Sequence, residues 1–153
     1  MVAKLIGNAR FRWCLALAIV IPYLSSLWLP VVFTEGYGAG TPGWVFAAYG
    51  SLGVFQAQWG WFANFGVVMA IGMLRAGRHI PWYVVTLCAI PVVLCEIDAL
   101  NWTQILRYNT SLPTAIVAYG WGYWLWIGSV TMSLAAMALM IGPRKAFTPP
   151  ASR

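Results

Sequence analysis

The chain has 153 residues, of which 61% are hydrophobic and 8% are charged, whereas soluble proteins average about 25% charged residues. Its apolar residues come in runs of roughly 20, the length that crosses a hydrocarbon layer as a helix, so the composition excludes an ordinary soluble domain and indicates a membrane protein. The net charge of +6 does not indicate a nucleic-acid partner, because the basic residues are scattered at the ends of the apolar runs.

The first predicted membrane helix covers residues 13–33 and contains Pro22 and Pro30. Proline removes a helical hydrogen bond, so we expect a bend that is packed against protein. The run is longer than the apolar part of a typical signal peptide, which favours a retained helix, with cleavage near Ala39 as the alternative. Residues 34–43 are rich in Gly and Pro and predict a loop.

Residues 44–74 form an apolar stretch that is too long for one untilted crossing. We therefore divide it into an interfacial or re-entrant segment at 44–51 and a second membrane helix at 53–74. Gln56, Gln58 and Asn64 are polar, and we expect them to face other helices instead of lipid.

The third predicted helix, residues 81–100, carries Glu96 and Asp98, two of the three carboxylates in the chain. An ionisable side chain close to hydrocarbon is costly, so it marks a candidate functional site. Residues two apart on a helix point about 200° from each other, so this pair cannot act as a carboxylate dyad. If Glu96 faces the bundle, Gln or Tyr side chains would donate to it, and Arg107 in the next loop is a candidate ion-pair partner.

The fourth predicted helix covers residues 115–141, and a disordered tail is predicted at 143–153. With four alternating helices, eight of the nine Lys and Arg residues fall on one side, which leaves Arg107 on the other. Because basic loops stay in the cytoplasm, both termini are predicted to be cytoplasmic and the membrane to be the cell inner membrane. Sequons at Asn101 and Asn109 lie in the predicted outer loop, and the sequence leaves their use open.

By depth, a set of polar side chains falls together near the outer face, and we call it the polar tier. Two interpretations remain open: a hydrogen-bonded network that fixes helix order, or a proton or cation site open to the outside. The polar tier consists of Gln56, Gln58, Glu96, Asp98, Tyr119 and Tyr123, with Arg107 nearby.

Eight of the ten tryptophans also fall in the predicted outer half. Aromatic residues normally anchor both membrane interfaces, so this asymmetry indicates either a thick anchoring girdle or an outer docking surface. The candidate aromatic surface consists of Trp59, Trp61, Trp121, Trp124 and Trp126.

The sequence contains no motif for catalysis or metal binding. A single histidine, His79, and three cysteines without C-x-x-C spacing give no metal-ligand set and no catalytic triad, so we expect no metal, no cofactor and no enzymatic activity.

The predicted fold is a single all-α domain, a four-transmembrane-helix bundle. For function we expect a non-enzymatic protein that acts through helix contacts in the lipid bilayer, such as an immunity protein against a membrane-targeting toxin or an accessory subunit. Its partner would be another membrane protein or a second copy. The alternative is a small oligomeric transporter or channel subunit that uses Glu96 or Asp98 as an ion or proton site.

Overall fold

The structure, a computed structural model, describes residues 7–77, 80–106 and 113–141. Helices predominate, and a four-stranded sheet joins them at one end. The helices are α1 (Ala9–Trp28), α2 (Gly43–Tyr49), α3 (Asn64–Ala76), α4 (Trp82–Leu100) and α5 (Trp121–Leu139), with 3₁₀ helices at Gly50–Gln56 and Gly60–Ala63. The strands are β1 (Pro30–Thr34), β2 (Tyr37–Pro42), β3 (Gln104–Leu106) and β4 (Pro113–Tyr119).

Three of the described helices, α1, α4 and α5, are long and apolar enough to cross a membrane, and Gly60–Ala76 forms a shorter apolar helix. Large hydrophobic side chains such as Leu17 and Leu87 are exposed on the outward faces of these helices. A continuous apolar surface of this kind is unfavourable in water. Together these features indicate that the protein is associated with a membrane.

The four-stranded sheet corrects the all-α prediction. Its strands are antiparallel and lie in the order β2-β1-β4-β3, with Val32 paired to Tyr119 and Gln104 paired to Ala115. Residues 30–33 and 115–119, which the sequence assigned to helix ends, lie in β1 and β4. Pro30 has no N–H with which to continue α1, and the β-branched residues that follow favour extended backbone.

The second predicted helix is also shorter than expected. Helical structure of the α type begins at Asn64, not at residue 53, because the chain breaks between the two 3₁₀ helices, where Ala57 has a φ of 58°. The segment predicted as interfacial or re-entrant at 44–51 forms α2 and runs directly into the Gly50–Gln56 helix. The predicted tail at 143–153 lies outside the described residues.

The long helices pack around α5, which contacts α1, α3 and α4. Since β1 follows α1, β3 follows α4 and β4 precedes α5, the ends of these helices meet at the sheet, and we call this the sheet end. The opposite end, which we call the basic end, carries Arg10, Arg12 and Arg75. There the Ile80 N–H donates to the Met140 carbonyl at 3.1 Å.

The core between the two ends is mainly apolar. Close approach of α3 and α4 depends on Gly66, where an added Cβ would lie 2.6 Å from Val92 Cγ1. A second cluster, which includes Val32, Trp102 and Tyr123, fills the space between the sheet and the helix ends. The main cluster of fully or nearly fully buried residues includes Ile19, Val67, Ala70, Leu74, Val85, Val92, Val130, Ala136, Met137 and Met140.

Candidate functional site

Asp98 lies in the last turn of α4, where one carboxylate oxygen accepts three hydrogen bonds. Its Oδ2 atom accepts from the backbone N–H of Trp59 at 2.7 Å, from that of Gly60 at 2.8 Å and from Trp102 Nε1 at 3.0 Å. The first two donors lie at the start of the Gly60–Ala63 helix, where N–H groups lack helical partners and favour an anion. Asp98 therefore caps one helix while belonging to another.

The close approach at this cap requires glycine at position 60. A Cβ there would lie 2.6 Å from Ala99 Cβ and 2.7 Å from Trp102 Cζ2. Such distances are too short for non-bonded carbon atoms, so any larger residue would push the start of the Gly60–Ala76 helix away from Asp98.

Glu96 has a different environment, although it lies only two residues away. Its side chain is 8% exposed, and its Oε1 atom accepts from the Thr131 hydroxyl of α5 at 2.6 Å. The two carboxylates thus contact different elements, as the two-residue spacing predicts. The prediction that Gln or Tyr side chains donate to Glu96 is wrong for the described residues, and Arg107 lies outside them.

Tyr119 and Tyr123 join the sheet and α5 to the end of α4. The Tyr123 hydroxyl donates to the Ala99 carbonyl at 2.9 Å, and the Tyr119 hydroxyl donates to the Trp102 carbonyl. Their rings stack with centroids 4.3 Å apart. Burial raises the pKa of the Tyr119 phenol above its usual value. Both tyrosines donate to carbonyls at or just beyond the end of α4, and the Ala99 carbonyl also accepts from the Trp102 N–H at 3.3 Å.

Of the two glutamines in the polar tier, the structure describes a side-chain contact for one. Gln58 Nε2 donates to the backbone carbonyl of Gln104 in β3. Gln56 ends the Gly50–Gln56 helix, and its side chain lies outside what the structure describes. Of the polar tier, the structure therefore ties Gln58, Glu96, Asp98, Tyr119 and Tyr123 into hydrogen bonds within the chain.

The predicted aromatic surface divides into two groups. Trp121, which is 78% exposed, and Trp124 line an open groove of about 440 Å³ beside β1. Trp61 and Trp126 are half-buried and line an internal cavity of about 30 Å³, enough for one or two water molecules. Trp59 is exposed beside Phe62. The five tryptophans do not form one continuous surface.

Asn64 provides the polar group at the internal cavity. Its Oδ1 atom accepts from Trp126 Nε1 at 2.8 Å, and its Nδ2 atom donates to the Trp61 carbonyl at 2.7 Å. These bonds link α3 to α5 and hold Trp126 inside the molecule. The sequence indicated that Asn64 would face other helices, and it gave no signal for its partner.

Two other partners were missed by sequence reasoning. Trp102 lies four residues after Asp98, a spacing at which helical neighbours meet, so this contact was accessible from the sequence. Thr131 is distant in the chain and in no recognisable pattern with Glu96. Metal binding finds no support in the described ranges, where His, Cys, Asp and Glu side chains form no group of three or more that could hold an ion.

Comparisons of the chain with protein-family models, with curated proteins and with solved structures find no match.

Proposed function

We propose that this protein crosses the cell inner membrane four times, with both termini in the cytoplasm, and that it acts without catalysis through contacts with helices of another membrane protein. An immunity protein against a membrane-targeting toxin and an accessory subunit of a membrane complex are the two forms of this function that we favour.

The charge distribution supports this topology. The described cations Arg10, Arg12 and Arg75 all lie at the basic end, whereas Glu35 and Asp98 lie at the sheet end. Loops that are rich in Lys and Arg remain in the cytoplasm. The fourth crossing would be the Gly60–Ala76 helix, whose length is at the lower limit of about 17 residues for spanning the hydrocarbon.

The observation that carries the functional proposal is the apolar core between the Glu96–Thr131 pair and the basic end. This space is filled mainly by apolar side chains such as Val67 and Met137, which offer no ligand to an ion or a proton. The one fully buried hydroxyl that the structure describes there, that of Ser133, donates to the backbone carbonyl one turn earlier in α5. Along the described helices, no polar path therefore continues from the polar tier to the basic end. A continuous path of polar groups or water is what a transporter or channel needs.

The outward face of α4 supports contact as the alternative to transport. Exposed apolar side chains recur along it at alternating intervals of four and three residues, the spacing of a helix-packing seam. These residues are Tyr83, Leu87, Ile90, Leu94 and Ile97.

Flux measurements separate the two functions. We expect purified protein in proteoliposomes to carry no proton or monovalent cation flux above that of empty vesicles, and Glu96→Gln to leave this unchanged. Flux that is present in the natural chain and lost in a folded Glu96→Gln variant would establish the transporter function instead. That function is favoured by one observation, a buried carboxylate at membrane depth.

Photocrosslinking tests the contact directly. A photoreactive amino acid in place of Leu87, on the outward face of α4, should give a discrete protein adduct in native membranes. The same photoreactive amino acid in place of Glu35, which is exposed in the β1–β2 turn, should give none. Adducts with lipid alone at Leu87 would contradict the proposal.

A further inference from the structure

An open groove runs between α4 and α5 on the outside of the helices, with a volume of about 350 Å³. We call it the α4–α5 groove. Ala89, Ile90 and Val93 line it from α4, Leu134 and Ala138 line it from α5, and Ile141 lines it just after α5 ends. Small residues at such a position let another helix backbone approach closely. The groove therefore has the apolar, small-residue lining of a helix-docking surface.

The Glu96–Thr131 pair lies at the sheet end of this groove. On α5 the lining residues Ala138 and Leu134 follow each other at helical spacing, and exposed Thr131 is the next position in the same line. Glu96 follows Val93 by three residues on α4, and its hydrogen bond with Thr131 joins the two walls. A helix that fills the groove would pass over this pair.

Glu96 has few hydrogen bonds for a carboxylate at this depth. Asp98 receives three N–H donors, whereas the described residues give Glu96 one hydroxyl. That hydroxyl also lies 3.0 Å from the Ile127 carbonyl, and it has only one proton to donate. A carboxylate can accept about four hydrogen bonds, so Glu96 has capacity for a donor from outside.

We infer that the α4–α5 groove binds a transmembrane helix of a different protein, and that a lysine or arginine of that helix donates to Glu96. A basic side chain matches both the charge and the unused acceptor capacity of the carboxylate. This inference rests on the proposed contact function and names the surface and the chemistry of the partner.

Charge also argues against the other occupants. A lipid acyl chain would fill the groove without offering a donor, and an anionic phosphate would be repelled by Glu96. In a second copy of the chain, the described cations Arg10, Arg12 and Arg75 all lie at the basic end. Arg107 lies outside the described residues, and the dimerisation outcome of the test below separates it from a cation of another protein. A heterologous helix with a basic residue near its outer end meets both requirements.

Synthetic peptides test the inference on the natural full-length chain. Two dansylated leucine-alanine helices of about 20 residues, which is long enough to span a bilayer, would differ only in one lysine or one leucine placed a helical turn from the outer end. Energy transfer from the tryptophans of the protein in phosphatidylcholine vesicles measures association. We expect the lysine peptide to bind about tenfold more tightly, the effect of one good interhelical polar contact.

Four variants test whether the preference for the lysine peptide depends on Glu96 and on the α4–α5 groove. Glu96→Gln should abolish the lysine preference, and Glu96→Asp should retain most of it. Ala138→Phe should weaken both peptides by filling the groove, whereas Leu17→Phe on the exposed face of α1 should change neither.

Equal binding of the two peptides to the natural chain would overturn the inference, as would a lysine preference that survives Glu96→Gln. If the lysine peptide is preferred only in the Arg107→Gln variant, Glu96 is paired with Arg107 within the chain. If the protein dimerises without peptide and this depends on Glu96, the groove binds a second copy of the chain. Both results overturn the inference. Glu96-dependent flux would refute the proposed function itself, whereas equal peptide binding without flux would refute only the groove assignment.

Discussion

At the scale of single residues, Asp98 shows how one carboxylate can hold two segments together. Its Oδ2 atom collects two backbone N–H groups and one indole N–H from parts of the chain on either side of it in sequence. Such bonds to a charged acceptor are stronger than neutral ones, and loss of the acceptor leaves all three donors without a partner.

We therefore expect Asp98→Ala to lower the free energy of unfolding by about 2–4 kcal/mol, the effect of losing a cap and several charged hydrogen bonds. Asp98→Asn keeps one acceptor oxygen and should cost less. The matched control is Glu35→Ala, which removes an exposed acid from the β1–β2 turn and should change stability by no more than about 0.5 kcal/mol. Unfolding in detergent micelles measures all three, and equal effects of Asp98→Ala and Glu35→Ala would contradict the capping role.

Tyr123 gives a similar test of stability for a neutral hydrogen-bonding group. Its side chain is 1% exposed, and its hydroxyl is the donor to the Ala99 carbonyl. Tyr123→Phe should destabilise the fold by about 1 kcal/mol because one buried hydrogen bond is lost, while the Trp102 N–H still donates to the same carbonyl at 3.3 Å. Tyr83→Phe removes the same atom from an exposed ring of α4 and is the control. If both variants unfold at the same denaturant concentration, the Tyr123 bond contributes nothing measurable.

At the scale of secondary-structure elements, the close packing of α3 against α4 depends on a glycine, which has no side chain at the contact. Gly66 faces Val92, and Gly72 on the same helix faces open space, since no atom lies within 4 Å of a Cβ built there. Val is stiff at χ1 in a helix and cannot easily turn away from an added methyl group. The two glycines therefore form a matched pair within one helix.

Gly66→Ala should lower the free energy of unfolding by about 1–3 kcal/mol through overpacking. Gly72→Ala should be neutral or stabilising by up to about 1 kcal/mol, because alanine is the better helix former. Thermal unfolding of the two variants side by side checks the difference. A stabilising Gly66→Ala would mean that α3 and α4 are less closely packed than the structure describes.

At the scale of the whole molecule, the opposite charges of the two ends give a test of the proposed topology. Single cysteines would be placed at Glu35, in the β1–β2 turn of the sheet end, and at Ala76, at the basic end, after replacement of Cys14, Cys88 and Cys95. Both positions are exposed. An impermeant maleimide should label Glu35→Cys in intact cells and Ala76→Cys only after permeabilisation. Labelling of both, or of Ala76→Cys alone, would refute the proposed orientation.

Composition and charge alone determined much about this protein. The length and apolarity of residues 81–100 predicted a long helix that differs from α4 by one residue at its start, because a continuous apolar run of that length has one stable form in lipid. The distance of two residues between Glu96 and Asp98 also determined that they contact different neighbours. These properties depend on local spacing, which a single sequence contains.

The tertiary structure alone decided the sheet and the partners of the acids. Val32 pairs with Tyr119, and Glu96 meets Thr131, across long stretches of chain, and apolar β-branched runs at helix ends do not reveal whether they extend or coil. The break at Ala57 likewise lies just before Trp59 and Gly60, whose N–H groups are capped by Asp98 at the end of α4. Pairing between distant segments depends on how whole elements pack together. Hydrophobic segments of similar composition do not indicate which segment each one will contact.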